Sequence, residues 1–500
     1  MTTEVGAKVG RFGVRAQALA CFLCVMASAV AWSVTTPPFQ APDEPLHLAY
    51  VQKLAETGRP PDPSDSYRPA LSSEGARALD AVNFSGVIGN PLAKPPWTEA
   101  DQRRAESLLV GPPRQDDGGG SAAYSNYPPA YYLLAAVPYL VAQATGASLI
   151  DTLAAVRLVS CLLSALTAVF VMLFVRELLP GTPRAWLPAA LACGLLPYFG
   201  FIGSSVNPDV LLATVCAALF FVLARSFRRG LNARRAAALA ALLVLGAASK
   251  PSFAGLLPGV AVGILLLLAV ALRRSGPAPW RELAVFIATG LVAGGLYLAV
   301  NVGLWGRPVL PVAVGVGSSA ASDPARRSIS GFLSYAFQFW LPRPWFLQDQ
   351  IKGGGYQLYE TIFKGFIGRF GWLDYQLPER VYTSVIAVWS VLLALAGRAL
   401  WVSRLLLRRR AGEFLVYSLM LAGLLLVIAV PAYDYRLTTG FAFEQARYLF
   451  PVMALLGGLY GLAIRGAGHK FGGYVAVLLV AATSSLDLLG LLVTVARYYA

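Results

Sequence analysis

The stretch YPPAYYLLAAVPYLVAQATG, residues 127–146, decides how this chain is threaded. It is apolar and has the length of a bilayer crossing, yet it carries Pro128, Pro129, Pro138 and several tyrosines. If it crosses, every basic cluster that follows changes side: Arg176/Arg184, Arg225 to Arg235, Arg273/Arg274/Arg281, Arg398 to Arg410 and Arg465/Lys470. Short loops rich in Lys and Arg stay in the cytoplasm. All of these clusters fall on that side only if residues 127–146 do not span. The segment is therefore expected to form a helix at the outer interface or dipping into it, where tyrosines and prolines are at home.

Composition agrees with a membrane setting. Of 500 residues 57% are hydrophobic and 13% charged, and mean hydropathy is +0.60, which a water-soluble domain of this length does not show. The net charge of +15 sits in short clusters between apolar runs, so it reads as a topology signal rather than a nucleic-acid footprint. Cys21, Cys24, Cys161, Cys193 and Cys216 all lie in apolar runs, which indicates neither a disulfide framework nor a zinc site.

Runs of spanning length lie near 14–34, 151–175, 185–204, 209–224, 236–249, 253–272, 282–303, 381–402, 413–431, 446–464 and 471–495. The first follows Lys8, Arg11 and Arg15; ASAVA near its end resembles a cleavage site, but its length favours an uncleaved anchor. The expectation is an all-α integral membrane protein with about 11 transmembrane helices, N-terminus inside and C-terminus outside. It divides into 1–34 (cytoplasmic segment and first helix), 35–150 (first outer loop with juxtamembrane helices), 151–303 (helices two to seven), 304–379 (second outer loop) and 380–500 (the remaining helices). Inside there are only basic turns. No GxxxxGK[ST] and no GxGxxG opening a helix occurs, so a nucleotide-driven pump or a nucleotide-sugar enzyme is disfavoured.

The outer loops carry the chemistry-bearing residues. In TTPPFQAPDEPLHLAYVQKL, 35–54, Pro45 and the fourfold spacing of Leu46, Tyr50 and Leu54 predict an amphipathic helix ending near Gly58, with His47 and Gln52 on its polar side. Asp43 and Glu44 stand at its start, where an ordinary capping role competes with a catalytic one. A second helix is expected from Thr98, capped with Asp101, and DDGGGS at 116–121 reads as a linker. The second loop is aromatic, with GFLSYAFQFWLPRPWF at 331–346, glycines at 353–355 as a hinge, and FKGFIGRFGWLDYQLP at 363–378. At span ends on the same face lie Asp209, Lys250, Gln445 and Arg447. Each alone suits an interfacial anchor; gathered on one face with Asp43 they suit a site where a hydroxyl loses a proton while a phosphate departs.

The motifs TPPFQAPDEPLH, YPPAYYL, SSVNPD, SKPSF, GRFGWLDYQLP and QARYLFP occur in that order. Through them residues 30–455 resemble a bacterial family of predicted membrane proteins of unknown function (DUF2142), similar in layout to GT-C membrane glycosyltransferases such as mannosyl- and aminoarabinose transferases. The resemblance implies that Asp43, with Glu44 adjacent, is the base or acceptor-positioning acid of the first outer loop. GT-C enzymes that use lipid-phosphate sugars often carry Lys-Pro or His-Pro-Pro before the interfacial helix. Here YPPAYY lacks the lysine, so Lys250 or Arg447, with Gln445, is expected to meet the donor phosphate; KPPW at 94–97 is an alternative match. His47, Tyr127, Asp209, Arg369 and Asp374 are the expected substrate contacts. A divalent cation is not required, although Asp43, Glu44 and Asp209 could hold one if they converge.

The expected activity is transfer of a sugar from a polyprenyl-phosphate donor to a cell-envelope acceptor at the outer face of a bacterial plasma membrane, with inversion at the anomeric carbon. Its partners would be the donor, the acceptor and membrane lipids, and no nucleic acid. The rival classes are a carrier that flips lipid-linked glycans, which calls for ionisable groups deep in the spans such as Asp487, and a non-catalytic envelope-assembly scaffold.

Overall fold

The computed structural model describes residues 2–62, 69–96, 98–109, 117–120, 124–125, 127–273, 279–308, 328–347, 358–439 and 445–500. The expected glycine hinge at 353–355 lies outside them, as do Trp97 of KPPW and both ends of the 116–121 linker. The fold is all-α. Helix α1 (Thr2–Thr35) leads into α2 (Glu44–Thr57), α3 (Ser73–Ala81), α4 (Phe84–Val87), α5 (Glu99–Leu109) and α6 (Ala130–Ala144). A bundle follows: α7 (Leu149–Leu178), α8 (Trp186–Gly194), α9 (Pro197–Gly203), α10 (Asp209–Arg229), α11 (Ala233–Ala247), α12 (Leu257–Leu272) and α13 (Trp280–Leu298). After α14 (Ile329–Trp340) and α15 (Leu358–Gly368) comes a small hairpin, β1 (Arg369–Phe370) paired antiparallel with β2 (Tyr375–Gln376). The chain ends with α16 (Glu379–Val402), α17 (Arg404–Arg409), α18 (Ala411–Thr439), α19 (Met453–Gly466) and α20 (Gly468–Tyr498).

Among the described residues nine helices are long and apolar enough to cross a bilayer, and the pair α8–α9, bent by 62°, makes up to ten. Bare leucines and valines along them, such as Leu291 and Val292 of α13 and Val477 and Leu478 of α20, have a hydrocarbon solvent rather than water to face. The expected eleventh crossing, 236–249, is α11, at 15 residues shorter than a normal span. It nevertheless returns the chain along α10, for Lys250 just beyond it reaches Asp209 at the other end of that helix. This is a multi-pass membrane protein.

Helix α7 sets the vertical scale. Arg157 holds the 33–44 segment at one level, and Glu177, twenty residues later, gathers Arg176, Arg225, Arg228 and Arg229 at the other. Twenty residues of helix rise about 30 Å, the thickness of the hydrocarbon core. The basic clusters thus collect at one end: Arg184 donates to the carbonyls of Gly468 and His469, Arg410 to that of Leu178, and Arg465 to Ser403. Asp43, Asp209, Lys250 and Arg447 collect at the opposite end.

Two sequence expectations are altered by packing. Helix α2 starts and stops as its proline and glycine predict, with Gly58 at φ 68° as its C-cap, but it does not lie open on the membrane surface. His47, Tyr50, Val51, Gln52 and Leu54 are all buried, because α6 lies against it and α3 covers its far end, with Gln52 accepting from Ser72. Helix α18 runs on through Pro431 to Thr439, where 432–445 reads as a connection in the sequence. Helix α6 itself behaves as the prolines suggest. Tyr131 at its start reaches Ser160 of α7, its end turns directly into α7, and Leu133, Val137, Leu140 and Val141 face outward, so it dips in from the interface and returns.

One close approach fixes the bundle. A Cβ on Gly423 of α18 would stand 2.0 Å from the Gly255 carbonyl oxygen, so only glycine lets these backbones touch.

The charge asymmetry gives a topology that can be checked. With single cysteines at Arg229 and Trp345, on a background without the five native cysteines, an impermeant reagent should label position 345 on intact cells. Position 229 should react only after permeabilisation. Labelling of 229 on intact cells would invert the assignment.

Candidate functional site

The site begins with a loop bent against its own preferences. In TPPFQAPDEP both Phe39 and Asp43 adopt φ 66°, a left-handed conformation that costs a non-glycine residue about 1–2 kcal/mol. Neighbours impose it. Arg157 donates to the carbonyls of Ser33, Thr36 and Pro37, and Arg447 to that of Pro42. The Phe39 amide donates to Glu44 Oε2, and its carbonyl accepts from Trp372 Nε1 of the hairpin at 3.2 Å.

Glu44 is fully buried and saturated. Arg157 grips it through Nε to Oε1 at 2.8 Å and Nη2 to Oε2 at 2.6 Å, while the amides of Val206 and Phe39 supply the other two donors. A carboxylate has about four lone-pair sites, and all are taken. The expected catalytic role for Glu44 is therefore corrected: it positions the loop.

Asp43 does the reverse. It occupies the N-cap position of α2, but its side chain makes no capping bond. The carboxylate turns instead to the Arg447 guanidinium and to the Tyr124 hydroxyl. Arg447 Nε lies 3.3 Å from Asp209 Oδ2, and Lys250 Nζ donates to Asp209 Oδ1 at 2.6 Å. Asp43, Arg447, Asp209 and Lys250 thus form an alternating chain of two acids and two cations. Asp43 is its accessible end, with 18% of its side chain exposed against 2–8% for the other three.

Aromatic rings enclose this chain. Lys250 Nζ stands 5.0 Å from the Tyr448 ring centre and 5.7 Å from that of Tyr127, and the Arg447 guanidinium is 5.7 Å from Tyr448, distances at which ring faces attract cations. His47 is buried against Tyr124, ring centres 4.7 Å apart, with Nδ1 2.9 Å from the Tyr132 hydroxyl. Burial pushes the Asp43 carboxyl up, but Arg447, with help from its hydrogen bonds, outweighs this and holds it below the usual range. Burial, aided by repulsion from Arg447 and Lys250 and only partly offset by Asp43, pushes His47 down to about 3, so its imidazole is neutral.

Of the residues singled out in the sequence, the structure brings together Asp43, His47, Tyr127, Asp209, Lys250 and Arg447. Gln445 stands at the N-cap position of the turn that contains Arg447 but makes no capping bond, and its buried Oε1 has no partner among the described residues. Asp374 goes elsewhere: Arg497 Nη2 binds it at 3.1 Å while also donating to carbonyls of the first loop. Arg369 donates to Leu373 of its own hairpin, and with Asp374 and Lys364 it lines a separate cavity of about 340 Å³. The two therefore stand apart from the Asp43 chain rather than in it. Nor do the three carboxylates considered for a divalent cation converge. Glu44 faces Arg157, and the Arg447 guanidinium contacts both Asp43 and Asp209; no group of metal-ligating side chains forms among the described residues.

Sequence reading missed Arg157, Tyr124, Tyr198 and Asn207. Arg157 had a signal, a lone cation eight residues inside an apolar helix, which calls for a partner. Asn207 lies within the SSVNPD motif, while Tyr124 and Tyr198 had no signal. Tyr198 Oη, Asn207 Nδ2, Asp209 Oδ2 and Arg447 Nε are buried without an aligned hydrogen bond among the described residues, although the last two are close enough for an ion pair.

A family model described as predicted membrane protein (DUF2142) matches residues 26–456. No curated protein and no solved structure matches the chain.

Two outcomes follow from the burial. Glu44→Gln strips a buried guanidinium of its counter-charge, and breaking such a pair costs about 3–5 kcal/mol; the purified variant should melt well below wild type or fail to fold. His47 takes up a proton in the unfolded chain near pH 6.5 but in the folded protein only near 3. Its contribution is therefore complete above the unfolded value and is lost as pH falls toward the folded one. Wild-type Tm should drop between neutral pH and about pH 5 by more than that of His47→Gln; equal drops would contradict a buried neutral imidazole.

Proposed function

Since the match covers most of the chain, the protein belongs to the DUF2142 family of predicted membrane proteins, and we propose that it is a polyprenyl-phosphate-sugar-dependent glycosyltransferase of the GT-C type. The observation that carries this reading is the orientation of Asp43: a carboxylate that forgoes its helix cap, in a strained backbone, to stand as the accessible end of a buried chain of ion pairs. A capping acid has no need of such an arrangement. In this reading the acceptor hydroxyl donates a hydrogen bond to Asp43, its oxygen forms the new bond to the anomeric carbon, and the bond from that carbon to the phosphate oxygen breaks with its electron pair going to the phosphate. The hydroxyl proton passes to Asp43 late in the step, because a carboxylate held ionised is a weak base until the oxygen has begun to bond. Lys250 and Arg447 supply the positive charge that the departing phosphate meets. The unaligned polar atoms of Tyr198, Asn207 and Asp209 offer hydrogen bonds suited to sugar hydroxyls. The acceptor belongs to the cell envelope and the site faces outward, away from the basic end of the bundle.

The test is sugar transfer by purified protein in liposomes from polyprenyl-phosphate hexose and pentose donors, together with the envelope of cells lacking the gene. Those cells should lack one sugar and accumulate its lipid-phosphate form; glycan trapped inside would indicate a carrier instead. Asp43→Asn keeps the size of the side chain and should fold, yet lose about a hundredfold to ten-thousandfold in rate. Arg447→Lys should recover only part of the donor affinity lost in Arg447→Ala, since an ammonium cannot grip two oxygens in the plane of a guanidinium. Near-native transfer by Asp43→Asn would return the motif to structure.

A further inference from the structure

The end of the bundle opposite Asp43 encloses a cavity of about 1210 Å³. Arg184, Arg228, Arg409, Arg410, Arg465 and His469 come to it from turns far apart in sequence. Two acids share the wall, but both are already matched. Glu177 lies within 3.5 Å of Arg176, Arg225, Arg228 and Arg229, and Glu413 is held by Arg410 through two bonds, at 2.7 and 2.9 Å, and by Tyr417. The positive charge therefore exceeds what the cavity itself neutralises. Arg409 in particular is exposed and makes no ion pair or hydrogen bond among the described residues.

The remaining wall is apolar. Phe227, Leu266 and Val270 line it, and Val270 is 48% exposed, on a helix whose Leu265 and Leu272 are also bare. A cationic floor beside an apolar wall, one hydrocarbon thickness from the opposite site, matches an amphiphile with an anionic head at headgroup depth. We propose that this cavity binds an anionic phospholipid of the leaflet at the basic end. Its phosphodiester lies among the arginines, and its first chain carbons run along Leu266 and Val270. A soluble phosphate would use the floor and leave the apolar wall without a purpose. The site is separate from the Asp43 chain and does not depend on the reaction assigned there.

The experiment is native mass spectrometry of the delipidated full-length protein titrated with phosphatidylglycerol, phosphatidylcholine or glycerol phosphate. Phosphatidylglycerol should be retained about tenfold or more tightly than phosphatidylcholine, the size expected for charge-assisted hydrogen bonds. Arg409→Glu should abolish that preference, Arg409→Gln should reduce it and Arg409→Lys should keep most of it. Because the Arg409 side chain makes no ion pair or hydrogen bond among the described residues, the neutral variant reports on binding even if the charge reversal disturbs folding. Equal retention of the two lipids, or a preference untouched by Arg409→Gln, would overturn the proposal. Displacement of phosphatidylglycerol by glycerol phosphate at equal concentration would identify a soluble-phosphate site and overturn it as well.

Discussion

The contact on which the site end depends is the pair between Glu44 and Arg157. A guanidinium inside an apolar helix is tolerable only when every charge and donor is matched, and Arg157 meets that demand by drawing in the Ser33 carbonyl at the end of α1 and the loop carbonyls of Thr36 and Pro37 as well as the carboxylate. The loop after the first span has therefore little freedom. Its left-handed residues are held by Arg157 on one side and by Arg447, through the Pro42 carbonyl, on the other. Val206, whose amide also binds Glu44, carries the constraint to the start of α10, three residues before Asp209. One ion pair thus joins the first loop to two spans and fixes where Asp43 points.

The second consequence is electrostatic. Four formal charges lie close together in a poorly solvated site, and alternation of sign lets each be stabilised by its neighbour. The chain as a whole is neutral, two acids against two cations. Its accessible end is an acid and its buried part holds the cations. On the proposed reading, an incoming hydroxyl would meet the carboxylate first, while the positive charge acts from behind it through short, low-dielectric distances.

Much of this was legible in the sequence, and the remainder was not for physical reasons. Basic clusters revealed the two ends because membrane topology is written in local charge, and prolines with tyrosines revealed that α6 does not cross. The convergence of Asp43, Asp209, Lys250 and Arg447 could be inferred because span ends on one side must lie at one depth. What failed was the division of labour between adjacent residues. Asp43 and Glu44 look equivalent in sequence, and only the distant Arg157 tells them apart. The exposure of α2 was misread as well, since a fourfold apolar pattern shows a helix with one greasy face but not that polar neighbours such as Ser72 and Tyr132 will cover the other. Asp374 was misplaced for a similar reason: its partner, Arg497, lies at the far C-terminal end of the chain.

The depth of the site is itself an argument about what it serves. Tyr131 of α6 reaches Ser160, about one turn of α7 beyond Arg157, so the site lies at one edge of the roughly 30 Å core that Arg157 and Glu177 mark. On the reaction proposed above, this level suits a donor whose reactive carbon adjoins a lipid-anchored phosphate, because the anchor holds the bond to be broken near the interface. Asp487 fits the same division between scaffold and site. It is buried in α20 but bound by Trp32 and Ser28 of the first span at 2.7 Å each, so it locks the N-terminal helix against the C-terminal one instead of marking a path through the bundle. The deep polar groups hold helices together, and on the proposed reading the accessible end of the shallow chain, Asp43, is the group that meets a substrate.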